Sequence, residues 1–145
     1  MEQFAKQSGV IPYRLEPEGL RVLLITSRET GRWVIPKGNI REGHRARGAA
    51  RHEAYEEAGV SGEIEKIPLG FYSYQKIIKN ETSRPTVVEV FAMRVLKEAK
   101  SWPEKAQRRC EWMAPEEAAR CVQEAGLAVL LLRLGERYLH GVAAE

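Results

Sequence analysis

Apolar residues along this chain gather in short blocks, and the spacing inside the blocks changes along its length. Residues 8–15 (SGVIPYRL) and 19–28 (GLRVLLITSR) are short and apolar at their centres. The second runs through Val22, Leu23, Leu24 and Ile25 without a polar break, which predicts a strand buried on both faces. Glu29, Thr30 and Gly31 read as a turn, residues 33–35 as a short strand stopped by Pro36, and residues 36–43 (PKGNIREG) as a glycine-punctuated loop. Residues 45–58 have a different pattern. Alanine and glutamate dominate and Gly59 offers a C-terminal stop, so a helix is predicted there. Residues 63–67, 71–78 and 87–96 are again strand-like. Pro115 suits the first turn of a helix over 115–124. A last helix over 127–138 carries Leu127, Leu130, Leu131 and Leu134 at helical spacing, most simply as a core stripe. The order β-β-α-β-β-α predicts an α/β fold, a mixed sheet between helices, in a single domain over residues 1–145.

Composition narrows the class. The chain has 145 residues, 43% apolar and 30% charged, which fits a globular protein with a real core and excludes a disordered chain. The longest apolar run, 127–132, is far too short to span a bilayer, and residues 1–9 lack the apolar stretch of a signal peptide; a cytoplasmic protein is expected. Cys110 and Cys121 have no Cys or His cluster around them and are expected as two reduced, buried thiols rather than zinc ligands.

A net charge of +3 is too small to argue for nucleic acid, but its distribution is informative. Arg28, Arg32, Lys37, Arg41, Arg45, Arg47 and Arg51 face only Glu29 and Glu42 in their stretch, and Glu53, Glu56, Glu57, Glu63 and Glu65 follow directly. A cationic run leading into carboxylates suits an anion that arrives with a divalent metal. It also suits a solvated, salt-bridged surface.

The same choice arises inside the predicted helix. Glu53, Glu56 and Glu57 stand at i, i+3 and i+4, on one face, where like charges repel. A bound Mg²⁺ would reverse that repulsion, because hard cations take carboxylate oxygens. Ala46, Ala49 and Ala50 extend the face, and their small side chains let the 36–43 loop lie close, so that a loop carbonyl could join the carboxylates. Geometry alone leaves an alanine-rich helix with a charged outer face equally open.

The stretch 38–60 (GNIREGHRARGAARHEAYEEAGV) resembles the Nudix box, G-x5-E-x7-R-E-U-x-E-E-x-G-U with U apolar. Gly38, Glu53, Glu56, Glu57, Gly59 and Val60 match in register, and Ala54 fills the first U with a small residue. The element order around it resembles the Nudix α/β/α sandwich. The resemblance implies that Glu53, Glu56 and Glu57 bind Mg²⁺ or Mn²⁺ together with the Gly38 carbonyl, and that a glutamate among them acts as the base that activates water. Two positions depart from the box: His44 stands for its first glutamate and His52 for its arginine. In the family that arginine braces the glutamate matching Glu53. His52 is therefore expected beside Glu53 as a partial replacement, or else in solvent. His44 cannot supply the lost negative charge and is a surface residue or a substrate contact.

Three further segments resemble the diphosphoinositol polyphosphate and diadenosine polyphosphate hydrolases: 27–38 (SRETGRWVIPKG), 102–104 (WPE) and 109–117 (RCEWMAPEE). The likeness implies a small polyphosphorylated substrate, with Arg28, Arg32 and Lys37 as its phosphate contacts. Arg14, Lys76, Lys79 and Arg84 would add to the patch if the strands gather them. Tyr72, Tyr74 and Trp33 could stack on a base or sit in the core. Two other functions stay open: removal of pyrophosphate from RNA 5′ ends, since RW-x-x-PKG also resembles that branch, and a Nudix module that binds a nucleotide without turnover.

Overall fold

A computed structural model describes residues 4–78 and 82–144, with side chains described as far as residue 138. Lys79, one of the basic residues expected in the patch, lies outside the described residues. The strands are β1 (Ala5–Glu16), β2 (Gly19–Thr26), β3 (Trp33–Val34), β4 (Lys37–Asn39), β5 (Val60–Ile64), β6 (Gly70–Ile77), β7 (Ser83–Glu98) and β8 (Cys110–Met113). The helices are α1 (Ala46–Ala58), α2 (Pro115–Cys121) and α3 (Ala125–Ala144). Among the described residues these strands form one mixed sheet in the order β3-β2-β1-β7-β5, with β4 on β1, β6 on β7 and β8 on β2. Its centre is a parallel pair, β1 with β7, from Ala5 opposite Thr86 to Tyr13 opposite Arg94. The other pairings are antiparallel.

The period-two alternation of a strand divides the core between the two faces of this sheet. Ile11, Val22, Leu24, Val88 and Val90 face α2 and α3 and meet Leu127, Leu130, Leu131 and Leu134, the predicted stripe. Val10, Leu23, Ile25, Phe91 and Met93 face α1 and meet Ala50, Ala54 and Ala58. The unbroken apolar centre of β2 is thus explained: both of its faces are covered. Alanines on the inner face of α1 bring the helix axis close to the sheet, which leaves its glutamates near the sheet's edge loops. Two strands were not legible. β4 falls within the expected 36–43 loop, and β8 is a short strand whose Cys110 and Glu111 are exposed. The thiols of Cys110 and Cys121 are free, as expected, but both residues are exposed rather than buried. Among the described residues no helix is long and apolar enough to cross a membrane.

Candidate active site

Three segments converge at one end of α1. The first is β4, whose Gly38 lies opposite Ser8 in the β1 register. Gly38 has no room for a side chain: a Cβ there would stand 2.5 Å from Glu53 Cδ and 2.6 Å from Glu53 Oε2. The glycine lets the loop backbone press directly on the Glu53 carboxylate. The second segment is α1 itself. Glu57 is buried, and its Oε1 accepts the Lys37 backbone N–H at 3.2 Å, which fixes the helix to β4. The third is the stretch after β7. Helix α1 ends at Gly59 with φ 68°, in the left-handed region that glycine tolerates, and a Cβ there would overlap the Trp102 ring. The Ala99 N–H bonds the Gly59 carbonyl at 2.8 Å and the Glu104 N–H bonds the Glu56 carbonyl at 3.1 Å. Trp102 packed on the helix end therefore delivers Glu104 to the carboxylates of α1.

Arg108 joins these parts. It is nearly buried, lies 3.5 Å from Glu57 Oε2, and donates from Nε to Glu104 Oε1 at 2.9 Å and from Nη1 to the Thr26 carbonyl at 3.0 Å. Sequence reasoning singled out neither Glu104 nor Arg108 as a site residue. The signal was present in part, since Glu104 closes the WPE segment, but nothing in the sequence says that this segment folds back on α1.

The resulting cleft has a volume of about 410 Å³, within the range of small-ligand sites. Glu53, Glu57 and Glu104 line it together with Arg28, Arg32, Lys37 and Gly38. All three expected phosphate contacts are therefore here, but they are not equally free. Arg28 donates to Gln107 Oε1 at 2.9 Å and lies 3.8 Å from Glu104. Arg32 bonds Gln123 and lies 3.2 Å from Glu124. Lys37 has its ammonium 5.1 Å from the Tyr74 ring centre, and burial lowers its pKa, against the opposing charges of Glu57 and Glu124. Lys76 and Tyr74 also line the cleft, and the Tyr74 hydroxyl donates to Gln7 Oε1 at 2.9 Å. Arg14 lies away from it, stacked on Trp112 and paired with Glu98, while Arg84 is exposed opposite Lys76 on β7. Tyr72 is a core residue, and Trp33 packs partly buried against that same core.

The carboxylates differ in environment. Burial pushes Glu57 up to about 7 from 4.5, with Arg108 and the Lys37 N–H pulling the other way. Burial also raises Glu53; the His52 charge and a hydrogen bond with Glu57 oppose it, and Glu104 and Glu56 add to it. Glu56 stands outside the lining of the cleft. Its Oε1 is 3.7 Å from His52 Nε2, so the nearest ion-pair partner of His52 is Glu56, one turn on, rather than Glu53. His52 is more than half exposed. Among the described residues no three His, Cys, Asp or Glu side chains are gathered as a ready metal cage. The donor chemistry nevertheless suits a hard divalent cation: carboxylate oxygens of one helix, and a backbone held against them because Gly38 has no side chain.

This geometry has a counterpart in a described family. The model of the NUDIX domain matches residues 5–133. The chain belongs to the Nudix hydrolase family. Nudix hydrolase 12, mitochondrial, of Arabidopsis thaliana is 34% identical over 131 residues, covering 79% of this chain and 64% of that protein. Mouse diphosphoinositol polyphosphate phosphohydrolase 3-alpha is 31% identical over 124 residues, covering 84% of this chain and 71% of its own length. The chain thus spans about two thirds of the curated relatives it matches. Among solved structures, a C. elegans Ap4A hydrolase binary complex superposes with a TM-score of 0.69 at 20% identity, covering 94% of this chain and 98% of that one. At that identity the likeness shows the fold: the Nudix mixed sheet between helices.

Proposed function

We propose that this Nudix protein is a divalent-metal-dependent hydrolase that cleaves a phosphoanhydride bond in a small polyphosphorylated compound, such as a dinucleoside polyphosphate or a diphosphoinositol polyphosphate. The observation that carries the reading is the contact of Gly38 with Glu53 inside a cleft that carboxylates and cations line together. Glu53, Glu56 and Glu57, with the Gly38 carbonyl, would hold Mg²⁺ or Mn²⁺, which supplies charge neutralisation on the diphosphate and acidifies a water. Glu56 would reach the metal by turning from His52. Lys37, and Arg28 and Arg32 once released from their present partners, bind the phosphate oxygens. Glu53 Oε2 receives the proton of the attacking water as oxygen bonds to phosphorus and the bridging P–O bond breaks. Arg108 holds Glu57 and Glu104 in place and keeps these carboxylates from being uncompensated before metal arrives.

A binding module without turnover would need no such carboxylate set, and all three box glutamates that matter to it are retained. No observation favours an RNA 5′ end over a small molecule. The test is phosphate release from a panel of diphosphate-bearing compounds, with and without Mg²⁺, for the wild type and Glu53→Gln. Turnover that needs both metal and Glu53 supports the reading; turnover indifferent to both overturns it.

A further inference from the structure

The chain departs from its family box at two positions, and the structure puts both of them on one cavity. A space of about 290 Å³ beside the main cleft is lined by Arg41, His44, Gly48, Ala49 and His52. Asn39, Arg41 and Glu53 line both this space and the main cleft, so the two cavities share a wall. The box pattern calls for a glutamate at 44 and an arginine at 52, opposite charges for the same cavity. Here both are imidazoles. A carboxylate at 44 would add negative charge next to Glu53 and repel an anion; an imidazole can donate to one. The cations also differ in availability. Arg28 and Arg32 in the main cleft already pair with Glu104 and Glu124. Arg41 and His44 are exposed, and among the described residues their side chains have no ion pair or hydrogen bond.

We propose that this second cavity is an anion subsite. It takes a phosphate group of the substrate that lies beyond the diphosphate held in the main cleft, with Arg41 and His44 as donors. Substrates with more than two phosphates then gain a contact that a plain diphosphate cannot make. Gly48 and Ala49 matter because larger side chains on that turn of α1 would fill the space. The proposal rests on the hydrolase reading above for its substrate, but the subsite itself can be tested without turnover.

Binding of inorganic tripolyphosphate is measured by calorimetry in chelator, for the wild type, Arg41→Ala, His44→Glu and His44→Gln. Arg41→Ala and His44→Glu should each weaken binding roughly tenfold, the loss of one charge-assisted contact. His44→Gln keeps a donor and should stay within about threefold of wild type by the same scale. Unchanged melting temperatures in these exposed variants exclude a merely structural effect. If both variants bind tripolyphosphate as wild type does, there is no subsite, whatever the enzyme cleaves. In the active enzyme with Mg²⁺, His44→Glu, at a residue that lines only the second cavity, should raise KM for diadenosine tetraphosphate more than KM for diadenosine diphosphate. Equal changes for both would move the recognition to the shared adenosine and overturn the phosphate assignment. An inactive wild type whose tripolyphosphate binding still depends on Arg41 and His44 would overturn the hydrolase reading and keep the subsite.

Discussion

Gly38→Ala should separate catalysis from stability. The added Cβ would stand 2.5 Å from Glu53 Cδ and 2.9 Å from its Cγ. Carbon atoms in contact prefer about 3.5–4.0 Å, so the carboxylate must retreat by about 1 Å. It can do so, because the obstructing atoms end a flexible, half-buried side chain and Gly38 itself is not in the left-handed region. Stability should therefore change by no more than about 1 kcal/mol. Placement should suffer more. A misplacement of about 1 Å at a reacting group can cost roughly 100-fold in rate, equivalent to about 2.7 kcal/mol of barrier. The assay is kcat at saturating Mg²⁺ with a melting curve on the same sample. Glu53→Asp shortens the obstructing side chain, so Gly38→Ala should add little to it, a non-additivity expected of groups in contact. A kcat within twofold of wild type, or full additivity with Glu53→Asp, would refute the claim that Gly38 is there to admit Glu53.

Other outcomes follow from the same geometry. Glu57 has its folded-state pKa raised from 4.5 to about 7, so its contribution to stability is full below pH 4.5 and is lost as pH rises through 7. In chelator the melting temperature should therefore fall from pH 5 to pH 8, with Glu57→Gln flattening the slope; a parallel slope in that variant would assign the effect elsewhere. Lys37→Ala should raise KM for a polyphosphate roughly tenfold with kcat less affected, while Arg28→Ala does less because Gln107 and Glu104 already hold that guanidinium. Equal effects would mean that the present pairing of Arg28 does not matter. His52→Ala should lower kcat by less than about fivefold, the scale of an exposed ion pair, since its contact is with Glu56 at 3.7 Å. A loss of 100-fold would restore it as the brace of Glu53.

The parts of this fold that show in the sequence are those with strong periodicity. The unbroken centre of β2, the leucine stripe of α3 and the alanine-glutamate helix stopped by Gly59 each follow from local pattern. Strand β4 is hidden because Lys37, Gly38 and Asn39 are a poor strand sequence; they are extended because β1 pairs with them and Glu57 takes the Lys37 N–H. The box carboxylates were legible from spacing and from resemblance. Arg108 and Glu104 were not, because their importance lies in the packing of Trp102 on Gly59, a contact between residues more than forty positions apart. The expected brace of Glu53 by His52 was read from the family's arginine. The shorter imidazole instead has Glu56 as its nearest carboxylate.

In the proposed reaction, carboxylates of α1 and a divalent metal together hydrolyse a phosphoanhydride bond. The most direct measurement is turnover of diadenosine tetraphosphate by wild type and by Glu53→Gln, each with Mg²⁺ and with excess chelator. Wild type with Mg²⁺ should turn over, wild type in chelator should not, and Glu53→Gln with Mg²⁺ should lose roughly 100-fold or more, as for removal of a general base. Comparable turnover by wild type in chelator, or by Glu53→Gln with Mg²⁺, would contradict it.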